Sequence, residues 1–106
     1  MNIRSSAAAF AAVLVVALPA APASAAVRKC SGTVQTSQPD GGRTARNITA
    51  DGTTCKVAKS VARHWAGKPY CKDYLGRRWT YVRGNLLSNG IRNVMRRKGA
   101  YVRFTT

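Results

Sequence analysis

One stretch, residues 51–69, has the pattern of an amphipathic helix and limits what the rest of the chain can form. Its apolar residues recur at spacings of three and four, which places them on one side of a helix: Cys55, Ala58, Val61, Ala62 and Trp65. The other side is predicted to carry Lys56, Lys59, Ser60, Arg63 and His64. Thr53 or Thr54 can cap the start, and Gly67 and Pro69 end it. Because so short a helix needs an apolar surface to lie on, the remaining segments are expected to supply that surface as strands.

The first 25 residues have the pattern of a secretory signal peptide. Arg4 precedes an apolar run at 7–18, and Ala23, Ser24 and Ala25 form a small-x-small cleavage site. The run is shorter than the roughly 20 apolar residues of a membrane-spanning helix. We therefore predict that residues 1–25 are removed on export. Residues 26–106 would then form a single small domain of a secreted protein, extracellular or associated with the cell wall.

Charge is the strongest compositional signal in the predicted mature chain. Without Arg4, 17 Lys and Arg oppose Asp40, Asp51 and Asp73, which gives a net charge of +14, and there is no glutamate. Such an imbalance destabilises the compact state through self-repulsion and attracts polyanions. Nucleic acid, anionic cell-wall polymers and anionic lipid headgroups all qualify as partners. The alternative is a compositional bias towards arginine that leaves only a solvated basic surface.

A first hairpin is predicted before the helix. Residues 33–37 are β-prone, residues 39–42 have turn chemistry, and residues 44–49 form the return strand. A turn centred between Asp40 and Gly41 would place Cys30 opposite Asp51, close to Cys55. Because this hairpin has few apolar residues, we expect it at the periphery of the fold.

The segments after the helix are predicted to form the main strands. Residues 68–77 are a polar connector, residues 78–83 alternate like a strand, and residues 84–90 form a loop around Leu86 and Leu87. Residues 91–96 and 101–104 pair around a turn at Lys98 and Gly99, with Met95 opposite Val102 and Arg96 opposite Tyr101. The fold class predicted is α+β: one amphipathic helix packed on a small antiparallel sheet and stapled by a disulfide.

Three cysteines allow three single-bridge pairings. The hairpin register favours Cys30–Cys55, with Cys71 free or paired between molecules. A Cys55–Cys71 bridge would need five residues to return the whole helix length, and Cys30–Cys71 stays open. Cys55, His64 and Cys71 lack the closely spaced ligand pairs of a zinc site, so no metal is predicted.

The chain resembles a group of small secreted actinobacterial proteins of uncharacterised function. The resemblance lies in Gly52-Thr53-Thr54-Cys55 followed by Ala58, Val61 and Ala62, in Trp79, and in Arg97-Lys98-Gly99 followed by Val102 and Phe104. Cys30 and Cys55 match the first two cysteines of that group, whose later cysteines fall near Tyr81 or Val82 and Met95 in this chain. The resemblance implies secretion and a compact fold, and it implies no activity.

Residues for catalysis are few. The chain has one histidine, and Asp40 and Asp51 have structural explanations as a turn residue and a residue at the helix entry. Ser60 and His64 are one turn apart, but catalysis also needs an acid and an oxyanion site. No phosphate-binding glycine loop or dinucleotide fingerprint is present, so no cofactor is predicted and the chain is interpreted as a non-enzyme.

A polyanion-binding surface is the best-supported functional prediction. Its candidate residues are the cations of the helix and of the C-terminal strands: Lys56, Lys59, Arg63, Arg78, Arg83, Arg92, Arg96, Arg97, Lys98 and Arg103. Trp79, Tyr81 and Tyr101 lie between them and could stack on bases, unless Trp79 and Tyr81 point into the core. The alternatives are an enzyme inhibitor or protein-interaction module using residues 84–90 or 97–99, a membrane-active protein, and a small hydrolase.

Overall fold

A computed structural model describes residues 26–38 and 41–106 of the chain. The predicted signal peptide, residues 1–25, and the turn residues Pro39 and Asp40 lie outside the described residues. The described part has one helix, α1 (Cys55–His64), and seven strands that all pair antiparallel. The strands are β1 (Val27–Lys29), β2 (Val34–Gln35), β3 (Thr44–Asp51), β4 (Tyr70–Lys72), β5 (Arg78–Leu87), β6 (Gly90–Arg97) and β7 (Ala100–Thr105). No helix in this part is long and apolar enough to cross a membrane.

The sheet has the strand order β1-β3-β7-β6-β5-β4, and β2 also pairs with β3. The α+β class, with one helix and an antiparallel sheet, is therefore supported, but the sheet is larger than expected and makes up most of the fold. The first hairpin is also not peripheral. Its return strand β3 lies inside the sheet, between β1 and β7, and Ala45, Ile48 and Ala50 of that strand are fully buried.

The helix begins where the Thr54 hydroxyl accepts a hydrogen bond from the backbone N–H of Val57, at 3.2 Å. It packs against β2, β3, β4 and β7. Ala58, Val61 and Ala62 are buried as predicted, but Val57 and Ser60 are buried too. The prediction that Ser60 lies on the polar side is wrong, because the sheet contacts the helix over a wider arc than one apolar stripe.

The core lies between the helix and one face of the sheet, called here the helix-side face. Its largest buried side chains from the sheet are Trp79, Phe104, Ile48 and Met95. Trp65 packs on this layer, with its ring 5.5 Å from that of Phe104 and 5.9 Å from that of Tyr81 between centroids. Burial of aromatic and aliphatic surface against the helix is the main source of stability in so small a domain.

The disulfide joins Cys30 to Cys55, with a Cα–Cα distance of 5.5 Å, and confirms the pairing favoured from the sequence. The register behind that prediction is wrong. Val27 and not Cys30 lies opposite Asp51, and the Cys30 N–H donates to the carbonyl of Ile48 at 2.8 Å. The reason is that β1 and β2 pair with different parts of β3, so a single hairpin register does not extend to Cys30.

The β6–β7 hairpin has the predicted register, with Met95 opposite Val102 and Arg96 opposite Tyr101. The prediction of a loop at residues 84–90 is wrong. β5 and β6 continue as paired strands as far as Leu87 and Gly90, so only Ser88 and Asn89 form the turn. The polar connector also contains a strand, β4, which pairs with the start of β5.

The turn between β4 and β5 is organised around the buried carboxylate of Asp73. That carboxylate accepts hydrogen bonds from the N–H groups of Leu75 and Arg77, from Arg77 Nε and from Trp79 Nε1, all at 2.9–3.0 Å. Burial by itself would raise the pKa of Asp73, but these hydrogen bonds, that from Trp79 first among them, leave the pKa below its ordinary value. The carboxylate thus stays ionised at neutral pH.

Replacing Asp73 with asparagine is expected to lower the free energy of unfolding by about 2–3 kcal/mol at neutral pH, because buried donors lose a charged acceptor. Since the pKa of Asp73 is lower in the folded state, its stabilisation is present above the ordinary aspartate pKa and is lost as the pH falls through the folded value. Urea unfolding at several pH values measures this. The variant should lose less stability on acidification than the parent, and an identical acid dependence in the two proteins would contradict the assignment.

Cys71 is a free, buried cysteine whose thiol donates to the carbonyl of Val61 at 3.5 Å. Burial, with a smaller effect of nearby Asp73, raises its pKa to about 12. We therefore expect the folded protein to resist alkylation at pH 8 and to form no dimer through Cys71, because the thiolate is the reactive species. Mass spectrometry after alkylation, with and without urea, checks this. Rapid modification of the folded protein would contradict it.

Candidate polyanion-binding face

The strand register assigns each residue of the sheet to one of two faces, because paired residues share a face and successive residues alternate. Val102, Met95 and Ala50 are paired neighbours on the helix-side face. Their chain neighbours Tyr101, Arg96 and Asp51 are likewise paired, on the opposite face. That opposite face is called here the open sheet face.

The open sheet face is strongly cationic. The pairs Lys29–Thr49, Arg46–Thr105, Lys72–Arg78, Thr80–Arg96, Arg83–Val94, Arg92–Thr105 and Val94–Arg103 all fall on it. Its cations are Lys29, Arg46, Lys72, Arg78, Arg83, Arg92, Arg96 and Arg103. The acidic residue that the register places among them is Asp51, which lies 3.5 Å from Arg103. The face therefore carries a large excess of positive charge.

A group of four arginines around Val94 lies at the centre of this positive charge and is called here the arginine cluster. Arg83 and Arg103 are the cross-strand neighbours of Val94, and Arg92 and Arg96 lie two residues away along β6. Val94 is only 2% exposed although it lies outside the core under the helix. The side chains next to Val94 on this face are those of the four arginines, so their methylene stems are placed to cover it.

Arg92 is the most constrained member of the cluster. Its Nη1 donates to the carbonyl of Asn47 and, at 3.1 Å, to the Thr105 hydroxyl, and its Nη2 lies 3.4 Å from the Thr49 hydroxyl. Burial and then the charge of Arg103 lower the pKa of Arg92. The larger cause is the loss of hydration on burial, and the smaller one is repulsion by the positive charge of Arg103, which a bound anion would relieve.

The other three cluster members are freer to bind a ligand. The side chains of Arg83 and Arg96 form no hydrogen bond or ion pair with any residue in 26–38 or 41–106. Arg103 lies 3.5 Å from Asp51 and stacks over Tyr101, with its Cζ 5.1 Å from the ring centroid. An exposed ion pair of this length contributes little to the stability of the fold. Arg103 can therefore exchange Asp51 for an anionic ligand with little loss of stability.

A pocket of about 420 Å³ opens beside the arginine cluster. It forms where the register of β3 shifts at Asn47, whose φ of 52° is the left-handed conformation that asparagine tolerates. Lys29, Arg46 and Arg92 line it together with the hydroxyl residues Thr33 and Thr49. The pocket thus offers hydroxyl groups and three positive charges to an anionic group.

The aromatic side chains are placed differently from the stacking arrangement considered above. Trp79 is buried on the helix-side face and Tyr81 is half-buried there, its hydroxyl donating to Asn93 Oδ1 at 3.2 Å. A bulge between Tyr81 and Arg83 moves the two residues to opposite faces. The aromatic rings of the open sheet face are therefore Tyr101 and Tyr70, with Arg78 3.9 Å above the Tyr70 ring. Trp79 and Tyr81 therefore cannot stack on a ligand that is bound at the open sheet face.

The ten predicted site residues fall into three groups. Arg78, Arg83, Arg92, Arg96 and Arg103 are brought together on the open sheet face. Arg97 and Lys98 lie at the β6–β7 turn, and Lys56, Lys59 and Arg63 lie on the helix, on the other side of the sheet. Sequence reasoning missed Lys29, Arg46, Lys72 and Tyr70. Only β-strand alternation could have found them. Strands β1 and β4 are too short to show it, and the register shift after Arg46 interrupts it in β3.

Ser60 and His64 make a local contact on the helix. His64 Nδ1 lies 2.8 Å from the carbonyl of Ser60 and 3.2 Å from its hydroxyl. The ring nitrogen thus meets one of the last carbonyls of the helix, where a donor is favoured. Within residues 26–38 and 41–106, no group of three or more His, Cys, Asp or Glu side chains is placed to hold a metal ion.

Comparisons with models of protein families, with curated proteins and with solved structures found no match to this chain.

Proposed function

We propose that this protein is a secreted, non-catalytic binding protein whose open sheet face contacts polyanions, such as a cell-wall polymer or nucleic acid. The observation that carries the proposal is the arginine cluster, four guanidinium groups around Val94 with Asp51 as their acidic neighbour. Guanidinium groups pair with phosphate, sulfate and carboxylate oxygens through two parallel hydrogen bonds.

The shape of the face supports a linear or branched polymer as the ligand. All six neighbouring strands of the sheet order carry a cation on this face: Lys29 on β1, Arg46 on β3, Arg103 on β7, Arg96 on β6, Arg83 on β5 and Lys72 on β4. With strands about 4.8 Å apart, this row is on the order of 20–25 Å long, which spans several charged groups of a polymer. The pocket beside Asn47 adds a recess for one anionic group at the end of the row.

Export belongs to the same proposal. A disulfide forms and persists in oxidising compartments, and the bridge between Cys30 and Cys55 fits that setting. Intact mass of the protein recovered from a culture medium tests it. A chain that begins at Ala26 and carries one disulfide is expected, and retention of the full chain in the cell would contradict it.

Binding itself is tested by a salt titration of the oxidised mature chain against heparin and against single-stranded DNA. If four or five guanidinium groups contact the polymer, the logarithm of the binding constant should fall with the logarithm of the salt concentration with a slope of about −3 to −4. A neutral dextran serves as the control polymer and should not bind. A slope near zero, or equal binding to the dextran, would overturn the proposal.

A further inference from the structure

The β5–β6 hairpin ends in a group of exposed apolar side chains, Leu86, Leu87 and Ile91, called here the hairpin tip. Leu86 is 86% exposed, Leu87 41% and Ile91 36%. The sheet continues as far as Ile91, which exchanges two backbone hydrogen bonds with Thr106 at 3.0 Å, but β4 pairs with residues 78–80 of β5, so Leu86 and Leu87 lie on an uncovered edge of the hairpin. Leu86 and Ile91 pair on one face and Leu87 lies on the other, so both sides of the tip are apolar. Exposed leucines grouped in this way indicate an interaction site.

Cations lie directly behind the hairpin tip. Arg46 donates a hydrogen bond to the carbonyl of Asn89 in the turn, which places one guanidinium at the tip itself. Arg92 pairs with Asn85, and Arg83 is three residues before Leu86, about 10 Å away at about 3.4 Å per residue. The sequence contains no acidic residue after Asp73. The hairpin thus has an apolar end followed by a positive band.

An apolar end with a positive band at this distance matches the surface of an anionic bilayer. Elements that bind such surfaces bury apolar side chains about 5–10 Å into the boundary between headgroups and acyl chains. Lysine and arginine at headgroup level are then attracted by the anionic lipids. A second copy of this chain is a poorer occupant, because it would bring the same unbalanced positive charge into contact.

We propose that the hairpin tip inserts into the headgroup layer of an anionic lipid bilayer while Arg46, Arg83 and Arg92 contact the lipid headgroups. The inference rests on the proposed function in its use of the arginine cluster, and it names a membrane surface as the polyanion. The apolar tip is the additional element. A soluble polyanion would leave its side chains in water, whereas a bilayer can bury them.

Vesicle co-sedimentation tests the inference with two matched variants of the mature chain. Leu86→Ser combined with Leu87→Ser removes both leucines of the tip, and Leu75→Ser makes one such substitution at the 57%-exposed leucine of the β4–β5 turn, at the opposite end of β5. Vesicles of phosphatidylcholine containing phosphatidylglycerol are compared with phosphatidylcholine alone, and heparin binding is measured in parallel. Circular dichroism confirms that each variant is folded.

The parent protein is expected to bind the anionic vesicles and not the zwitterionic ones. The tip variant should bind them about 10- to 100-fold more weakly, since leucine burial is lost, while its heparin affinity stays that of the parent. Leu75→Ser should leave both affinities unchanged. Vesicle binding that is absent in the parent, or unaffected by the tip variant, overturns the inference and leaves the proposed function standing if heparin still binds. A parent protein that does not bind heparin would instead overturn the proposed function.

A gain-of-function variant gives an independent readout. Leu86→Trp should increase vesicle binding and shift the tryptophan emission to the blue on addition of anionic vesicles, because indole favours the membrane interface. Trp65 and Trp79 are buried and provide a constant background. Emission that does not change while the protein sediments with the vesicles would show that the tip stays in water, and would overturn the inference.

Discussion

Replacing Arg83, Arg96 and Arg103 together with glutamine should weaken heparin binding on the order of 100-fold at about 0.1 M salt. Each guanidinium that pairs with the polymer releases a counterion, so the loss of three contacts should also make the log–log salt slope shallower by about 2–3. These three residues are chosen because Arg92 is tied to Asn47, Thr49 and Thr105, and its removal would disturb the fold. Fluorescence anisotropy with labelled heparin measures both quantities.

The helix provides the matched control for that experiment. Lys56→Gln, Lys59→Gln and Arg63→Gln remove the same number of charges from the other side of the sheet. If the open sheet face is the binding surface, this variant should keep most of the affinity and the salt slope of the parent. Equal losses in the two triple variants would show that net charge alone drives binding, and would contradict a defined site on the sheet.

Removing the disulfide with Cys30→Ala and Cys55→Ala should lower the free energy of unfolding by about 3.5 kcal/mol, the chain-entropy value for a loop of this size. The bridge closes a separation of 25 residues and fixes the end of β1 to the start of α1. A domain this small has a narrow stability margin, so the variant is expected to be partly unfolded at 37 °C.

Urea unfolding of the parent, of the parent under reducing conditions and of the double variant measures this contribution. The reduced parent should match the double variant, because both lack the same constraint on the unfolded chain. Cys71→Ala is the control for loss of a thiol without loss of a bridge. A double variant as stable as the parent would show that the helix is held in place by packing alone.

The elements that sequence reasoning predicted correctly are those governed by local chemistry. The helix follows from its apolar spacing and the Thr54 cap, and the β6–β7 register follows from the turn at Lys98 and Gly99. Lys98 adopts a φ of 55°, which such a turn requires and which a lysine adopts only under a constraint. The predicted Cys30–Cys55 pairing was correct although the hairpin register used to predict it was wrong. Both the predicted and the observed strand pairings bring Cys30 near the start of the helix.

The parts that could not be predicted depend on contacts between distant segments. Register shifts at Asn47 and near Val82 move the following residues to the other face, and no local signal marks them. The arginines of β5, β6 and β7 were therefore identified as candidates, while the face they share was not. The burial of Ser60 likewise depends on the four strands that pack against the helix, β2, β3, β4 and β7, which helical periodicity alone does not reveal.

The measurement that tests the central claim most directly is an NMR titration of residues 26–106 with a short heparin oligosaccharide, observed at the arginine Nε–Hε groups. We expect the resonances of Arg83, Arg96 and Arg103 to shift early and together, while that of Arg63 on the helix stays in place. Shifts that are largest at Arg63, or that are spread evenly over all arginines, would contradict a binding surface on the open sheet face.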